Sequence, residues 1–183
     1  GSCRFDEYGA KANSMSLASD DTIPGWKQFT DGIHQRGSKA AVQLYHAGRY
    51  MPSKDVPCGK PALAPSAVYC PYTKETAPEM TVDQIHEVIE NWARGALRAR
   101  EAGFDMAEII ASAGYLIPQF LSPVTNQRTD EYGGSFENRT RFLFEILEEI
   151  RKACGPDYPI AVKMTLDSVD DEERPIEEGL AIA

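Results

Sequence analysis

The chain has 183 residues, of which 42% are hydrophobic and 26% are charged, a composition typical of a globular domain with one core. Its formal net charge of −9 argues against nucleic-acid partners, which require a basic surface. No apolar run approaches the roughly 20 residues that a transmembrane helix needs. We therefore expect a cytoplasmic protein without membrane partners. The sequence does not decide between a monomer and a homo-oligomer.

The four cysteines stand apart from one another in the sequence, at Cys3, Cys58, Cys70 and Cys154. No two of them have the close spacing that zinc and redox sites use. We expect free thiols, with Cys154 in a packing role, and no bound metal.

The first predicted helix spans residues 24–36, and a strand over residues 39–44 follows it. Pro24 suits the first helical turn, and Gly37 ends the helix. Apolar residues recur at helical spacing on one face, at Trp26, Phe29 and Ile33.

The second unit begins with a long proline-rich loop over residues 51–78. Thr81 and Gln84 form a capping-box pattern that opens a helix over residues 81–102. Gly103 closes this helix, and a strand over residues 104–110 follows.

The third unit starts with another long loop, over residues 114–134. Ser135 is placed to cap a helix over residues 135–154, which leads to a strand over residues 158–165. Pro175 marks the opening of one more helix.

Helices that alternate with strands predict an α/β fold with a parallel sheet. The long loops all follow strands, which favours a (β/α)8 TIM barrel over a doubly wound sheet, and no dinucleotide-binding or P-loop glycine motif is present. Three strands are fewer than half of a barrel. We therefore interpret residues 1–183 as one partial barrel domain with strands missing at both ends.

Three polar residues lie at or near strand ends and are candidates for chemistry: Gln43, Tyr115 and Lys163. Each also has a purely structural interpretation. Gln43 could bond the barrel backbone, Lys163 could pair with Glu108 or Asp105, and Tyr115 could be a packing residue. The choice stays open on these residues alone.

Other polar residues favour a structural interpretation. His46 stands alone beside a loop, which is typical of a structural histidine. Polar residues are dense in and just after the loop over residues 114–134, and they predict a rigid segment that holds Tyr115 in place. They are Asn126, Arg128, Asp130, Glu137, Asn138, Arg139 and Arg141.

Two stretches resemble a known family: "QLYHAGR" at residues 43–49 and "GYLIPQFLSPVTNQRTDEYGGSFENRTRF" at residues 114–142. A third, "AGFD", opens the second strand at residues 102–105. Together they strongly resemble the Old Yellow Enzyme family of FMN-dependent ene-reductases. The resemblance implies a TIM barrel that binds FMN at its strand C-termini, receives electrons from NADH or NADPH, and reduces an activated C=C bond of a small unsaturated substrate.

The resemblance also implies roles for the three candidates. Gln43 would contact the pyrimidine edge of the flavin. Lys163 would occupy the position of a basic residue near flavin N1 and O2. That residue is often an arginine in the family, and a lysine keeps the positive charge but lacks the planar guanidinium group. Tyr115 would donate a proton to the carbon alpha to the substrate carbonyl, since a phenol carries its proton at neutral pH.

The sequence departs from the family where many members have two donors that bind the substrate carbonyl. Ile110 and Ala113 stand at those positions. This strand end resembles the 2,4-dienoyl-CoA reductase branch, whose iron–sulfur cluster would lie outside this segment. Two alternatives stay open: flavin-dependent oxidation or demethylation, and a barrel segment that binds no flavin on its own.

Overall fold

The computed structural model describes residues 2–166 and 176–183, and within them helices alternate with strands. The strands are β1 (Ser2–Cys3), β2 (Ala41–Leu44), β3 (Tyr69–Cys70), β4 (Glu75–Thr76), β5 (Met106–Ala111) and β6 (Ile160–Met164). The helices are α1 (Ile23–His34), α2 (Val82–Glu101), α3 (Leu116–Leu121), α4 (Phe136–Cys154) and α5 (Ile176–Ile182). None of these described helices is both long and apolar enough to cross a membrane.

Parallel strands form the main sheet, in the spatial order β1-β2-β5-β6. Gln43 pairs with Ser2 on one side and with Glu108 on the other, while Ile110 pairs with Lys163. The predicted adjacency of three parallel strands is confirmed. The fourth strand, β1, was not predicted, because two residues carry no readable periodicity.

The helices pack on one face of this sheet. Val42 and Ile109 project from the strands into a core that also contains Trp92 of α2 and Phe142 of α4. The rings of Trp92 and Phe142 meet edge to face with centroids 6.3 Å apart. A doubly wound sheet would have helices on both faces. The helices of the described residues share a single core on one face, which is the arrangement in a barrel wall.

The predicted helix ends are confirmed by their hydrogen bonds. Thr81 and Gln84 form a complete capping box at the start of α2. The Ser135 hydroxyl accepts a bond from the Asn138 amide at the start of α4. Gly155 caps the end of α4 at a positive φ of 77°.

The two segments predicted as long loops contain secondary structure. Residues 51–78 include the short antiparallel pair β3 and β4, and residues 114–134 begin with α3. None of these three elements is long enough to show a period in the sequence. Helix α1 ends two residues before the predicted Arg36. The predicted helix start at Pro175 lies outside the described residues, and α5 begins at Ile176.

Candidate active site

A pocket of about 420 Å³ opens at the C-terminal end of the sheet. The segments that follow β1, β2 and β5 all contribute to its walls. It is lined by Lys11, Ser14, Tyr45, Ala47, Tyr50, Met51, Pro52, Tyr72, Ala113 and Tyr115. Ligand sites of α/β barrels lie at this end, because the loops after the strands converge there.

The turn after β5 has an unusual backbone that presents Tyr115 to this pocket. Ala113 and Gly114 both have positive φ angles, of 59° and 68°. A Cβ at Gly114 would lie 2.6 Å from the Tyr50 hydroxyl oxygen, so a larger residue would displace that ring and would also have to adopt a positive φ. Tyr115 follows as the N-cap residue of α3 and is half-buried.

Tyrosine rings dominate the pocket. The Tyr115 ring lies 5.5 Å from that of Tyr45 and 6.4 Å from that of Tyr50, measured between centroids. Tyr50 also meets Tyr72 at 5.7 Å. Burial raises the pKa of Tyr45, although a hydrogen bond with Ser14 opposes the shift. The rings are inclined to one another by 52° to 74°, so they form apolar pocket walls edged by hydroxyl groups, which suit an aromatic or conjugated ligand.

One cation stands at the rim. Lys11 Nζ lies 2.9 Å from a carboxylate oxygen of Asp55 and stays more than half exposed. This hydrogen bond and the charge of Asp55 raise the pKa of Lys11. The pair joins the segment after β1 to the loop after β2 at the edge of the pocket.

The inner face of the sheet, opposite the helices, carries a polar row. The Ser2 hydroxyl donates to Gln43 Oε1 at 2.5 Å, and Gln43 Nε2 donates to the Glu108 carboxylate. Gln43 was expected to bond the barrel backbone as its structural alternative. Its partners are instead two side chains on the neighbouring strands.

Lys163 lies on the same inner face, two residues beyond the level of Gln43 and Glu108. It is exposed on β6, the edge strand of the described sheet. The ion pair predicted as its structural alternative is not found among the described residues. Glu108 binds Gln43, and Asp105 binds Lys39 at the opposite end of the strand.

The structure separates the two residues that were expected to form an apolar pocket wall. Ala113 lines the pocket and is exposed there. Ile110 is buried in β5 opposite Lys163 and does not line it. The alternation of strand side chains explains this, because Ile110 belongs to the inner face and Ala113 to the turn beyond it.

Sequence reasoning missed most of the pocket. Tyr45 lies within the quoted "QLYHAGR" stretch and Tyr50 directly follows it, and their position just after a strand is the signal that could have identified them. Tyr72 and Lys11 lie in irregular segments whose folding back over the sheet leaves no sequence pattern. Glu108 was considered only as an ion-pair partner.

The residues interpreted as structural have structural contacts. His46 is fully buried, its Nδ1 accepts a bond from the Gly48 amide at 3.0 Å, and burial lowers its pKa. Arg128 is buried as well. It donates to the Pro65 and Met80 carbonyl oxygens and pairs with Asp130. The loop over residues 114–134 is therefore pinned to the rest of the fold.

The sheet, its one-sided helices and the pocket at the strand C-termini define a segment of an α/β barrel with an enzyme-like site. A family model described as "NADH:flavin oxidoreductase / NADH oxidase family" matches residues 5–182. The chain belongs to this family of oxidoreductases, the family of the Old Yellow Enzymes. The FMN requirement of the family and its use of NADH or NADPH agree with the predicted cofactors.

Solved structures of relatives match the fold closely. An Old Yellow Enzyme from Pichia sp. has a TM-score of 0.88 at 31% identity, over 99% of this chain and 51% of its own. A 2-naphthoyl-CoA reductase in complex with 2-naphthoyl-CoA has a TM-score of 0.90 at 33% identity, over 99% of this chain and 29% of its own. These similarities confirm the predicted barrel class, of which this chain is a segment.

Among curated proteins, a metal reductase of Desulforamulus reducens is 46% identical over 164 residues. The match covers 90% of this chain and 24% of that protein. The chain thus spans about a quarter to a half of the length of these relatives.

Proposed function

We propose that this chain is part of a flavoenzyme that reduces activated C=C bonds with electrons from NADH or NADPH, with Tyr115 as the proton donor. The observation that carries the proposal is the position of Tyr115. It enters a tyrosine-lined pocket from the C-terminal end of β5, the same end of the sheet towards which Gln43 and Lys163 lie.

The inner face of the sheet has groups that fit FMN. Gln43 keeps one N–H and one lone pair beyond its bonds to Ser2 and Glu108, so its amide can still contact a polar ring edge. Lys163 is an exposed cation on the same face and would favour negative charge on a bound ring system. FMN, when bound, supplies the two-electron chemistry of the reduction.

Tyr115 would hold its proton until charge develops on the substrate carbon next to the carbonyl. A phenol is a suitable donor because it carries its proton at neutral pH. Tyr45 stands beside it, and burial raises the pKa of Tyr45.

The substrate is proposed to be a bulky conjugated acyl compound rather than a small ketone. Ala113 brings only a methyl group to the pocket, and the neighbouring rings offer stacking surfaces. A dienoyl thioester would satisfy both features, as the resemblance to the 2,4-dienoyl-CoA reductase branch implies. The similarity to a 2-naphthoyl-CoA reductase supports a large acyl group.

Flavin-dependent oxidation or demethylation is the alternative within the same family. The non-catalytic alternative is a barrel segment that binds no flavin on its own.

A cytoplasmic location is proposed from the four cysteines, which are all free.

The test of the proton donor is Tyr115→Phe, which keeps the ring and removes only the acidic proton. We expect alkene reduction to slow by about 10²- to 10⁴-fold in stopped-flow measurements, because general-acid catalysis typically contributes that much. Reduction of the flavin by the nicotinamide should hardly change. Tyr72→Phe is the matched control, because Tyr72 is the most exposed ring of the pocket.

The substrate class is tested on the same flavin-loaded protein. A dienoyl thioester should be reduced faster than a simple enone at equal concentration. Equal alkene rates for Tyr115→Phe and wild type would return Tyr115 to a packing role. A protein that oxidises amines but reduces neither alkene would support the alternative.

A further inference from the structure

Gln119 is a fully buried amide in α3 whose polar atoms are all engaged. Its Oε1 accepts a bond from the Arg49 amide at 3.0 Å. Its Nε2 donates to the Ala47 carbonyl oxygen at 3.1 Å and to the Gly114 carbonyl oxygen at 2.7 Å. A buried side chain with three good hydrogen bonds has a fixed position, because any other rotamer would leave polar atoms unpaired.

The partners of Gln119 belong to two different walls of the pocket. Ala47 and Arg49 lie in the segment after β2, and Gly114 lies in the turn after β5. Gly48 completes the contact: it has a φ of 58°, and a Cβ there would lie 2.2 Å from the Gln119 Oε1 atom. The backbone between Ala47 and Arg49 therefore fits closely around this one amide.

The turn that presents Tyr115 has one backbone hydrogen bond of its own, a long one of 3.4 Å from the Tyr115 amide to the Ser112 carbonyl oxygen. Backbone bonds join the Leu116 amide to the His46 carbonyl oxygen and the Gln119 amide to the Tyr115 carbonyl oxygen, both at 3.0 Å. They secure α3. The Leu116 bond reaches the segment after β2 from one residue beyond Tyr115. The positive φ of Ala113, unfavourable for a residue with a Cβ, lies before Tyr115, and the bond from Gln119 to the Gly114 carbonyl oxygen ties this earlier part of the turn to the same segment.

We infer that Gln119 is a positioning residue for Tyr115. By binding Ala47, Arg49 and Gly114 together, it fixes the distance between the two pocket walls and the direction in which the Tyr115 phenol points. The inference rests on the proposed function, in which Tyr115 donates a proton. A displacement of about 1 Å at a reacting group can cost on the order of 100-fold in rate, so a residue that prevents it contributes to catalysis without touching the substrate.

The first variant is Gln119→Glu in the flavin-loaded protein. It keeps an acceptor for the Arg49 amide but places an oxygen where the amide donated to two carbonyl oxygens. We expect alkene reduction to slow by roughly 10- to 100-fold, with flavin reduction by the nicotinamide changed by less than about threefold. Gln127→Glu is the matched control, because Gln127 is an exposed glutamine of the following loop, and it should behave as wild type.

A double-mutant cycle separates positioning from general damage. If Gln119 acts through Tyr115, then Gln119→Glu should have little further effect on alkene reduction in a Tyr115→Phe background. Its effect on thermal unfolding should be the same in both backgrounds. Rate effects that multiply in the double variant would overturn the inference.

A readout independent of turnover is the ¹⁹F signal of 3-fluorotyrosine at position 115. We expect one narrow resonance in the wild-type protein and a broadened or doubled one in Gln119→Glu. If that variant does not fold, Gln119→Met, which keeps the side-chain length, replaces it. Normal alkene reduction by Tyr115→Phe would contradict the proposed function of Tyr115 but not the positioning role of Gln119. The positioning role would then be decided by the ¹⁹F signal, and identical signals in variant and wild type would refute it.

Discussion

Lys163 places a positive charge on the exposed inner face of an edge strand, near the level of the polar row formed by Ser2, Gln43 and Glu108. Within the described part of the chain, neither carboxylate considered as its partner is bound to it. A lysine kept in such a position is consistent with a ligand that carries negative charge. Gln43 differs from Lys163, because two side chains, those of Ser2 and Glu108, already fix the orientation of its amide.

This difference leads to a prediction about flavin retention. Lys163→Gln should weaken FMN binding or slow flavin reduction by roughly tenfold or more, because a hydrogen bond to a charged group typically contributes about 1.5–3 kcal/mol. Lys163→Arg should stay close to wild type, since it keeps the charge. Flavin absorbance after dialysis and the rate of reduction by the nicotinamide measure both effects.

Gln43→Ala should also lower flavin retention, because it removes the amide and leaves the Glu108 carboxylate without its donor. Lys152→Gln is the control, since Lys152 is a surface lysine paired with Glu149 on a helix. Full flavin content together with normal reduction in both Gln43→Ala and Lys163→Gln would rule out their assignment to the cofactor.

At the scale of elements, Asp105 joins three segments at the N-terminal end of the sheet. Its carboxylate accepts bonds from Lys39 Nζ and the Ala40 amide and lies against His34 Nε2, each at 2.8 Å. The bond from Lys39 is the main cause that holds the pKa of Asp105 well below its ordinary value, with the Ala40 and His34 bonds adding to it. This end of a barrel serves stability rather than catalysis.

The depressed pKa predicts a pH dependence of stability. Because the carboxylate is favoured in the folded state, its contribution is fully present above the unfolded pKa of about 4 and is lost as the pH falls towards the folded pKa. Asp105→Asn should therefore lower the urea midpoint at pH 7, and the difference from wild type should shrink between about pH 5 and pH 2. Asp31→Asn, which removes a surface pair with Lys27, provides the comparison. A difference that is constant with pH would contradict this origin.

The elements that the sequence predicts correctly are those with long periodic patterns and local end signals. The helices α2 and α4 are examples, since a capping residue and a repeated apolar face lie within one window of sequence. The short strand β1 and helix α3 could not be predicted. Their existence depends on pairing and packing with distant residues, as the bond from the Leu116 amide to the His46 carbonyl shows.

The candidate site was predictable only where it coincides with strand ends. Gln43, Tyr115 and Lys163 follow from the strand positions and the family resemblance. The pocket itself joins Lys11, Tyr45 and Tyr72 from separate segments, and no local pattern records that contact. Gln119 was hidden within a quoted motif, because its role depends on hydrogen bonds to residues about 70 positions away.

At the scale of the whole molecule, the described sheet is open along β6. On its inner face Lys163 is exposed, and on its helix face Val162 remains partly uncovered beside Phe144. A shallow cavity of about 560 Å³ runs along this edge, between α4 and β6. A closed barrel leaves no such edge, since each strand is covered by a neighbouring strand and helix.

The open edge predicts how the 183-residue chain should differ from a polypeptide of the length of its relatives. FMN would meet only the groups of the described strands, so several of its contacts would be absent. Because each lost charge-assisted bond costs roughly tenfold or more in affinity, we expect the chain alone to bind FMN at least about 100-fold more weakly. Fluorescence titration of free FMN with each protein measures the two dissociation constants. If the isolated chain binds FMN as tightly as the longer polypeptide, its described residues must supply the complete cofactor site, and the partial-domain interpretation would be wrong.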